Sequence, residues 1–153
     1  MNIIFTRPLI DSEDLMTNFF SSKHKIIHVP TLSINPADMK PISTENFDAL
    51  IFTSANAVRF IKLKNNNKKI KCFCVGRITE RALRLKGFNN TVAASGTVNA
   101  LKNLILNSED NIKNLVYFCG DVVSYDLDEE LRLEGFKVTK VINYTSKKIT
   151  DLS

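Results

Sequence analysis

Short apolar runs alternate along the chain with segments whose apolar residues recur every three or four positions, and that alternation predicts strands and helices in turn. Asn2–Thr6 is the first strand. Ser12 is placed to cap a helix whose apolar face holds Leu15, Met16, Phe19 and Phe20. Lys25–Leu32 reads as the second strand, ending near Pro30. Residues 33–46 carry Pro36 and Pro41 with no clear period and are expected to be a linker. A denser series follows. Asp48–Thr53 is a strand, and Ser54 caps a helix through Ala57, Val58, Phe60, Ile61 and Lys64. Ile70–Val75 is the next strand. Thr79 starts a helix through Ala82, Leu83 and Lys86 that Gly87 stops. Thr91–Ala94 is a short strand, after which Thr97 caps a helix with Leu101, Leu104 and Ile105 on one face. Leu115–Cys119 is a strand, residues 124–134 form a helix with Leu127 and Leu131 inward and Gly135 as its stop, and Lys137–Tyr144 is the last strand. Strands alternating with helices of this length predict an α/β fold with a doubly wound, Rossmann-like parallel sheet covered on both faces. Its crossovers should be right-handed.

The pattern repeats internally. Asn2–Ser33 lies over Asn114–Thr145 without a gap, so that Asn2, Ser12, Asp14, Leu15, Lys25 and Val29 meet Asn114, Ser124, Asp126, Leu127, Lys137 and Val141. Two βαβ units of one length therefore bracket the middle of the chain. Residues 47–145 supply five strands, enough for a complete lobe. Residues 1–33 are expected to be the first βαβ unit of a second, incomplete lobe, with 34–46 the linker out and 146–153 the start of the linker back. Two strands and a helix do not bury a stable core alone. The strands that complete them are expected after residue 145, and the chain stops at Ser153, so it reads as C-terminally shortened.

Composition narrows the partners. Among 153 residues, 44% are hydrophobic and 24% charged, a globular mixture. The net charge of +5 favours an acidic ligand, although a lysine-rich surface gives the same number. No basic tract suggests nucleic acid, and Asn65-Asn66-Asn67 before Lys68 and Lys69 reads as a solvated loop. The N-terminus lacks the pattern of a signal peptide, and no apolar run approaches the roughly 20 residues of a membrane helix. Cys72, Cys74 and Cys119 show no zinc spacing with His24 or His28. Cys72 and Cys74 would share one strand face, a poor geometry for a mutual disulfide. A reduced cytoplasmic protein without a metal is expected.

Ligands of open parallel sheets bind beyond the carboxyl ends of the strands. Those ends read, in order, Thr6-Arg7-Pro8; Thr53-Ser54-Ala55-Asn56; Gly76-Arg77-Ile78-Thr79; Ser95-Gly96-Thr97; Gly120-Asp121, preceded by Cys119; and Tyr144-Thr145. Ser54, Thr79 and Thr97 stand where helices begin, and free N–H groups at helix starts suit carboxylates or phosphates. Each hydroxyl taken singly also suits plain helix capping. Together with Arg7 and Arg77 they describe an anion-binding rim. There is no G-x-G-x-x-G fingerprint and no phosphate loop ending in Gly-Lys-Ser/Thr. Both histidines precede any nucleophile, against a hydrolase triad. Cys119 is the one cysteine placed to face a ligand.

These strand ends resemble uroporphyrinogen-III synthases. Thr6-Arg7-Pro8 is similar to that family's opening. The stretch Asp48-Ala49-Leu50-Ile51-Phe52-Thr53-Ser54-Ala55-Asn56-Ala57-Val58 is the most specific segment. Val75-Gly76-Arg77-Ile78-Thr79-Glu80-Arg81-Ala82-Leu83, Gly87-Phe88, Ser95-Gly96, Cys119-Gly120, and Gly135-Phe136 followed by Tyr144 complete the order. The resemblance implies two flavodoxin-like lobes that hold linear hydroxymethylbilane, a polycarboxylate. The substrate is closed into uroporphyrinogen III with inversion of ring D through a spiro intermediate, without a metal or cofactor. It implies catalytic roles for Tyr144 and Thr79. Substrate binding falls to Arg7, Thr53, Ser54, Ala55, Asn56, Gly76, Arg77, Ser95, Gly96, Cys119 and Gly120. The family is expected to be monomeric, without nucleic-acid or membrane partners; a chain with one incomplete lobe is expected to self-associate through it. The alternatives are a non-catalytic anion-binding module and a nucleotide-binding flavodoxin-like protein.

Overall fold

The computed structural model describes residues 2–5, 25–28, 32–65, 67–108 and 111–148, the first two stretches by their backbone. The expected helix after Ser12, the Thr6-Arg7-Pro8 strand end and His24 lie outside the described residues. The chain divides into two compact units, Met1–Asn35 with Ser146–Ser153, and Pro36–Thr145. In the first, β1 (Asn2–Phe5) and β2 (Lys25–His28) pair in parallel, Asn2 opposite Lys25 and Phe5 opposite His28.

The larger unit is built on β4 (Ala49–Phe52), β5 (Lys71–Cys74), β6 (Thr91–Ala93), β7 (Asn114–Gly120) and β8 (Lys137–Lys148), all paired in parallel. Between them run α1 (Ala55–Arg59), α2 (Arg77–Leu85), α3 (Val98–Leu106) and α4 (Leu127–Leu133). With β3 (Leu32–Pro36) at the edge, the sheet order is β3-β8-β7-β4-β5-β6. The chain starts at β4, winds outward to β6, then returns to lay β7 and β8 on the other side. The switch point of this doubly wound sheet therefore lies between β4 and β7, where such sheets open a crevice at their carboxyl ends.

Strand side chains alternate between two buried layers. Ala49, Ile51, Phe73, Leu115, Tyr117 and Cys119 pack with Leu101 and Ile105 of α3 and Leu127 and Leu131 of α4. Leu50, Phe52, Cys72, Cys74, Val116 and Phe118 pack with Ala57 and Val58 of α1 and Leu83 of α2. The rings of Phe52 and Phe118 stack across neighbouring strands, 5.4 Å apart and 11° from parallel.

Several element boundaries differ from the periodic reading. α1 ends at Arg59, whereas the pattern ran on to Lys64. Ile42 N donates to Lys62 O at 3.0 Å and Lys64 N to Ile42 O at 2.9 Å, an extended bridge that draws the chain out of the helix. The same bridge, with β3, gives structure to residues expected to form a featureless linker. Asn65 adds to it, accepting from Thr44 N at 3.1 Å and donating to Thr44 Oγ1 at 2.6 Å. α2 starts at Arg77, two residues before Thr79, because Gly76 O already takes Glu80 N at 3.0 Å. α4 starts at Leu127 rather than near Ser124, with Asp128, Glu129 and Glu130 in its first turn, where their negative charge complements the positive end of the helix dipole. β8 continues beyond Tyr144 to Lys148. Gly87 and Gly135 stop α2 and α4 with φ of 97° and 98°.

At the amino end of the sheet, Asp48 accepts from the N–H groups of Lys113 and Asn114, each at 2.9 Å, and ties the entries of β4 and β7 together. The Asn114 N–H first, then that of Lys113, hold the carboxyl below its usual range. A lowered folded-state pKa contributes stability that is present above the unfolded value and is lost as pH falls through the folded one. Asp48→Asn should therefore destabilise at neutral pH, with the difference from wild type vanishing in acid below the ordinary carboxylate range, as read by denaturant unfolding at a series of pH values. In the core, Phe118→Ala should cost about 3–5 kcal/mol. Leu133→Ala, at a position 87% exposed, should stay within about 0.5 kcal/mol in the same experiment.

Candidate functional site

The carboxyl ends of β4, β7 and β8 bring four residues of the sequence reading together. Ser54 adopts extended backbone as the N-cap of α1, and its Oγ accepts from Ala57 N at 3.2 Å. The same Oγ lies 3.0 Å from Tyr144 Oη. Next to it, Thr53 Oγ1 lies 3.1 Å from Tyr117 Oη. The ring of Tyr144 lies over Gly120, closely enough that a Cβ there would meet Cε2 at 2.6 Å. Phe60 tilts against the same ring with centroids 6.4 Å apart. Two phenols and two hydroxyls thus form two paired contacts at the switch point.

The pairs differ in environment. Burial pushes the Tyr117 phenol up to about 12, only partly opposed by its bond to Thr53. Tyr117 therefore stays protonated at neutral pH and acts as a fixed hydrogen-bonding group. Tyr144 is half-buried at the edge. Asn56 Oδ1 accepts from Arg59 Nη1, and Ala55 is buried so that only its backbone faces the rim.

A second group forms at the ends of β5 and β6. Gly76 and Gly96 approach so closely that a Cβ on Gly76 would stand 3.4 Å from Gly96 Cα. Gly96, at a φ of 114°, donates its N–H to Val75 O at 2.8 Å. Arg77 and Ser95 are exposed beside them. Thr97 caps α3 as expected, its Oγ1 accepting from Ala100 N at 3.0 Å. The unbonded N–H groups of the first turns of α2 and α3 start here.

Two residues fall elsewhere. Thr79 is not a cap: it is the third residue of α2 and only 3% exposed, because the amphipathic period turns it inward. The Cys119 side chain points into the α3/α4 layer, so only its backbone reaches the edge. Arg7 lies outside the described residues. Conversely, Tyr117 and Asn143 join the site without having been singled out. Tyr117 hid in an apolar run, where an aromatic reads as core. Asn143 is 1% exposed, and its Nδ2 donates to Ala57 O at 2.7 Å; a lone asparagine in a strand pattern was the available signal.

Among the described residues, no group of three His, Cys, Asp or Glu could hold a metal ion, and no helix is long and apolar enough to cross a membrane.

The family model described as uroporphyrinogen-III synthase HemD matches residues 14–153. No curated protein matches this chain significantly. Among solved structures, uroporphyrinogen-III synthetase from Helicobacter pylori superposes with a TM-score of 0.61 at 18% identity, over 100% of this chain and 65% of that one. A mutant uroporphyrinogen III synthase from Thermus thermophilus gives 0.60 at 14% identity, over 97% of this chain and 64% of the other. Its wild-type form gives 0.52 at 15%, over 97% and 63%. The chain thus spans just under two thirds of the length of these structures, and at such identities the likeness is one of fold.

Burial pushes the Cys72 and Cys74 thiols up to about 12 and Cys119 up to about 11. The thiolate is the reactive form. In the folded protein near neutral pH all three should resist a thiol reagent such as dithionitrobenzoate, and all should react once guanidinium unfolds the chain.

Proposed function

The chain belongs to the uroporphyrinogen-III synthase family, and we propose that it takes part in that family's reaction, the cyclising loss of water from hydroxymethylbilane with inversion of ring D. In this reading Pro36–Thr145 is one lobe of the enzyme and the remaining residues belong to a second. The protein works in the cytoplasm, without a cofactor, on a small polycarboxylate substrate. The observation that carries the reading is the hydroxyl pair at the switch point, Ser54 Oγ 3.0 Å from Tyr144 Oη.

The chemistry asks for little more. The hydroxyl of the substrate leaves as water and needs a proton or a polarising hydrogen bond, which a phenol can supply. Ser54 already spends one lone pair on Ala57 N. Its O–H is therefore free to donate to Tyr144 Oη, which turns the phenol O–H toward the substrate. The same Ser54 O–H then steadies the phenolate once the proton has gone. The pyrroles carry the resulting cation. What remains is to hold the chain folded so that ring D is attacked at the inverting position. The N–H groups opening α2 and α3, with Arg77, Ser95 and the backbone at Gly76, Gly96 and Gly120, suit the substrate carboxylates, and the net charge of +5 favours their approach. Thr79, buried in the first turn of α2, seats that turn instead of touching the substrate.

The test is the isomer made from freshly generated hydroxymethylbilane, analysed after oxidation to porphyrin. The type III isomer should dominate over the spontaneous type I product, and Tyr144→Phe should lower the rate by about 10²-fold or more. Type I alone would refute the catalytic reading. Tight binding of uroporphyrin with no type III product would point to an anion-binding module.

A further inference from the structure

A strand that alternates regularly could not present Tyr144 to Ser54. On β8, Val138 packs into the α3/α4 layer and Val141 into the α1/α2 layer. Alternation then assigns residue 143 to the α1/α2 layer and residue 144 to the opposite face. Tyr144 nevertheless packs in the α1/α2 layer. The pairing register shows why. Ile142 stands opposite Cys119, but Gly120 stands opposite Tyr144, so Asn143 is an extra residue in β8. It forms a β-bulge, a device that re-aims the side chain after it.

Two features hold this arrangement. Asn143 is pinned at both its ends: its Nδ2 donates to Ala57 O of α1 at 2.7 Å, and its backbone O accepts from Ala37 N at 3.0 Å. The amide is kept in a buried position although its Oδ1 has no hydrogen-bond partner among the described residues. An apolar side chain of similar shape would avoid that penalty, so its donor bond to α1 is what distinguishes it. On the facing strand, a Cβ at residue 120 would stand 2.6 Å from Tyr144 Cε2, 2.7 Å from Cζ and 3.0 Å from Oη. Only glycine leaves room for the ring where its hydroxyl meets Ser54.

We infer that Asn143 and Gly120 are positioning residues for Tyr144: the bulge at Asn143 turns the tyrosine to the α1 face, and the bare backbone of Gly120 seats its ring so that Oη reaches Ser54. Gly120 then acts on the ring and not only as a backbone contact for substrate. The inference rests on the reading of Tyr144 as the proton donor for its effect on rate, but its geometric content stands apart from that reading.

The experiment uses this chain labelled with carbon-13 at the tyrosine Cζ, with the three tyrosines assigned by single Tyr→Phe changes. The variants are Gly120→Ala and Asn143→Leu. The atoms that Gly120→Ala displaces are the tip of a side chain, and leucine has the same number and branching of side-chain heavy atoms as asparagine, though it is bulkier, so both should fold. In the wild-type chain Ser54→Ala should shift the Tyr144 resonance. In each variant that resonance should already be displaced, and adding Ser54→Ala should move it no further. If Ser54→Ala keeps its full effect in either variant, that residue has no positioning role. In type III formation, kcat should fall about 10²-fold with KM little changed, and Tyr144→Phe should add no further loss. If the resonance uncouples while kcat stays at the wild-type value, the positioning geometry stands and the proton-donor role of Tyr144 falls.

Discussion

β4 is buried along its whole length. Ala49, Leu50, Ile51 and Phe52 expose nothing to water, because the strand lies between β5 and β7 and beneath helices on both faces. A parallel strand in that position has its backbone groups bonded to its neighbours and its side chains committed to packing. No chemistry can be placed along it. What the sheet offers a ligand has to be offered at its ends, and the two ends differ. At the amino end, Asp48 binds two N–H groups of the neighbouring segment and locks strand entries in place. At the carboxyl end, the first residues free of packing are Thr53 and Ser54, and both hydroxyls are engaged by tyrosines from other strands. The buried strand thus both stabilises the unit and fixes where its polar groups must gather.

How far the amino-acid pattern reported this depends on whether the signal was local. Thr53-Ser54-Ala55-Asn56 was legible because strand, cap and helix follow one another without a break, and each leaves a mark within a few residues. The helix starts at Ser54 and Thr97 were legible for the same reason. Thr79 misled because a hydroxyl suits a cap and an inward helix position alike, and only the bond from Glu80 N to Gly76 O decides between them. The early end of α1 was illegible. It depends on Ile42 pairing with Leu63, two isolated apolar residues far apart in sequence. Tyr117 stood unmarked inside an apolar strand; its ring is core, while its hydroxyl reaches Thr53 at the edge.

The two groups at the carboxyl edge also differ in kind. Around the switch point the contacts are made by side chains, in two hydroxyl–phenol pairs. Around the ends of β5 and β6 they are made by backbone, with the Gly76 and Gly96 segments lying side by side and the Gly96 N–H bonded to Val75 O. Side-chain hydroxyls move protons, whereas backbone N–H groups at helix starts hold charge without titrating. Under the proposed reading, a substrate with many carboxylates and one leaving hydroxyl would use both, in different places.

The bulge at Asn143 makes one property of this protein depend on a count. Along β8, Val138 and Val141 reach their layers by simple alternation, upstream of the extra residue. The direction of Tyr144 needs the extra one. Insertions and deletions are ordinarily judged harmless in loops and ruinous in strands; here a single-residue deletion at Asn143 would leave Val138 and Val141 in their layers and send the tyrosine to the far side of the sheet. For β8, parity decides which layer the tyrosine joins, and under the proposed reading it also decides where the proton donor points. Two chains matched by the apolar pattern as far as Val141 can agree at every one of those positions and still turn the tyrosine opposite ways.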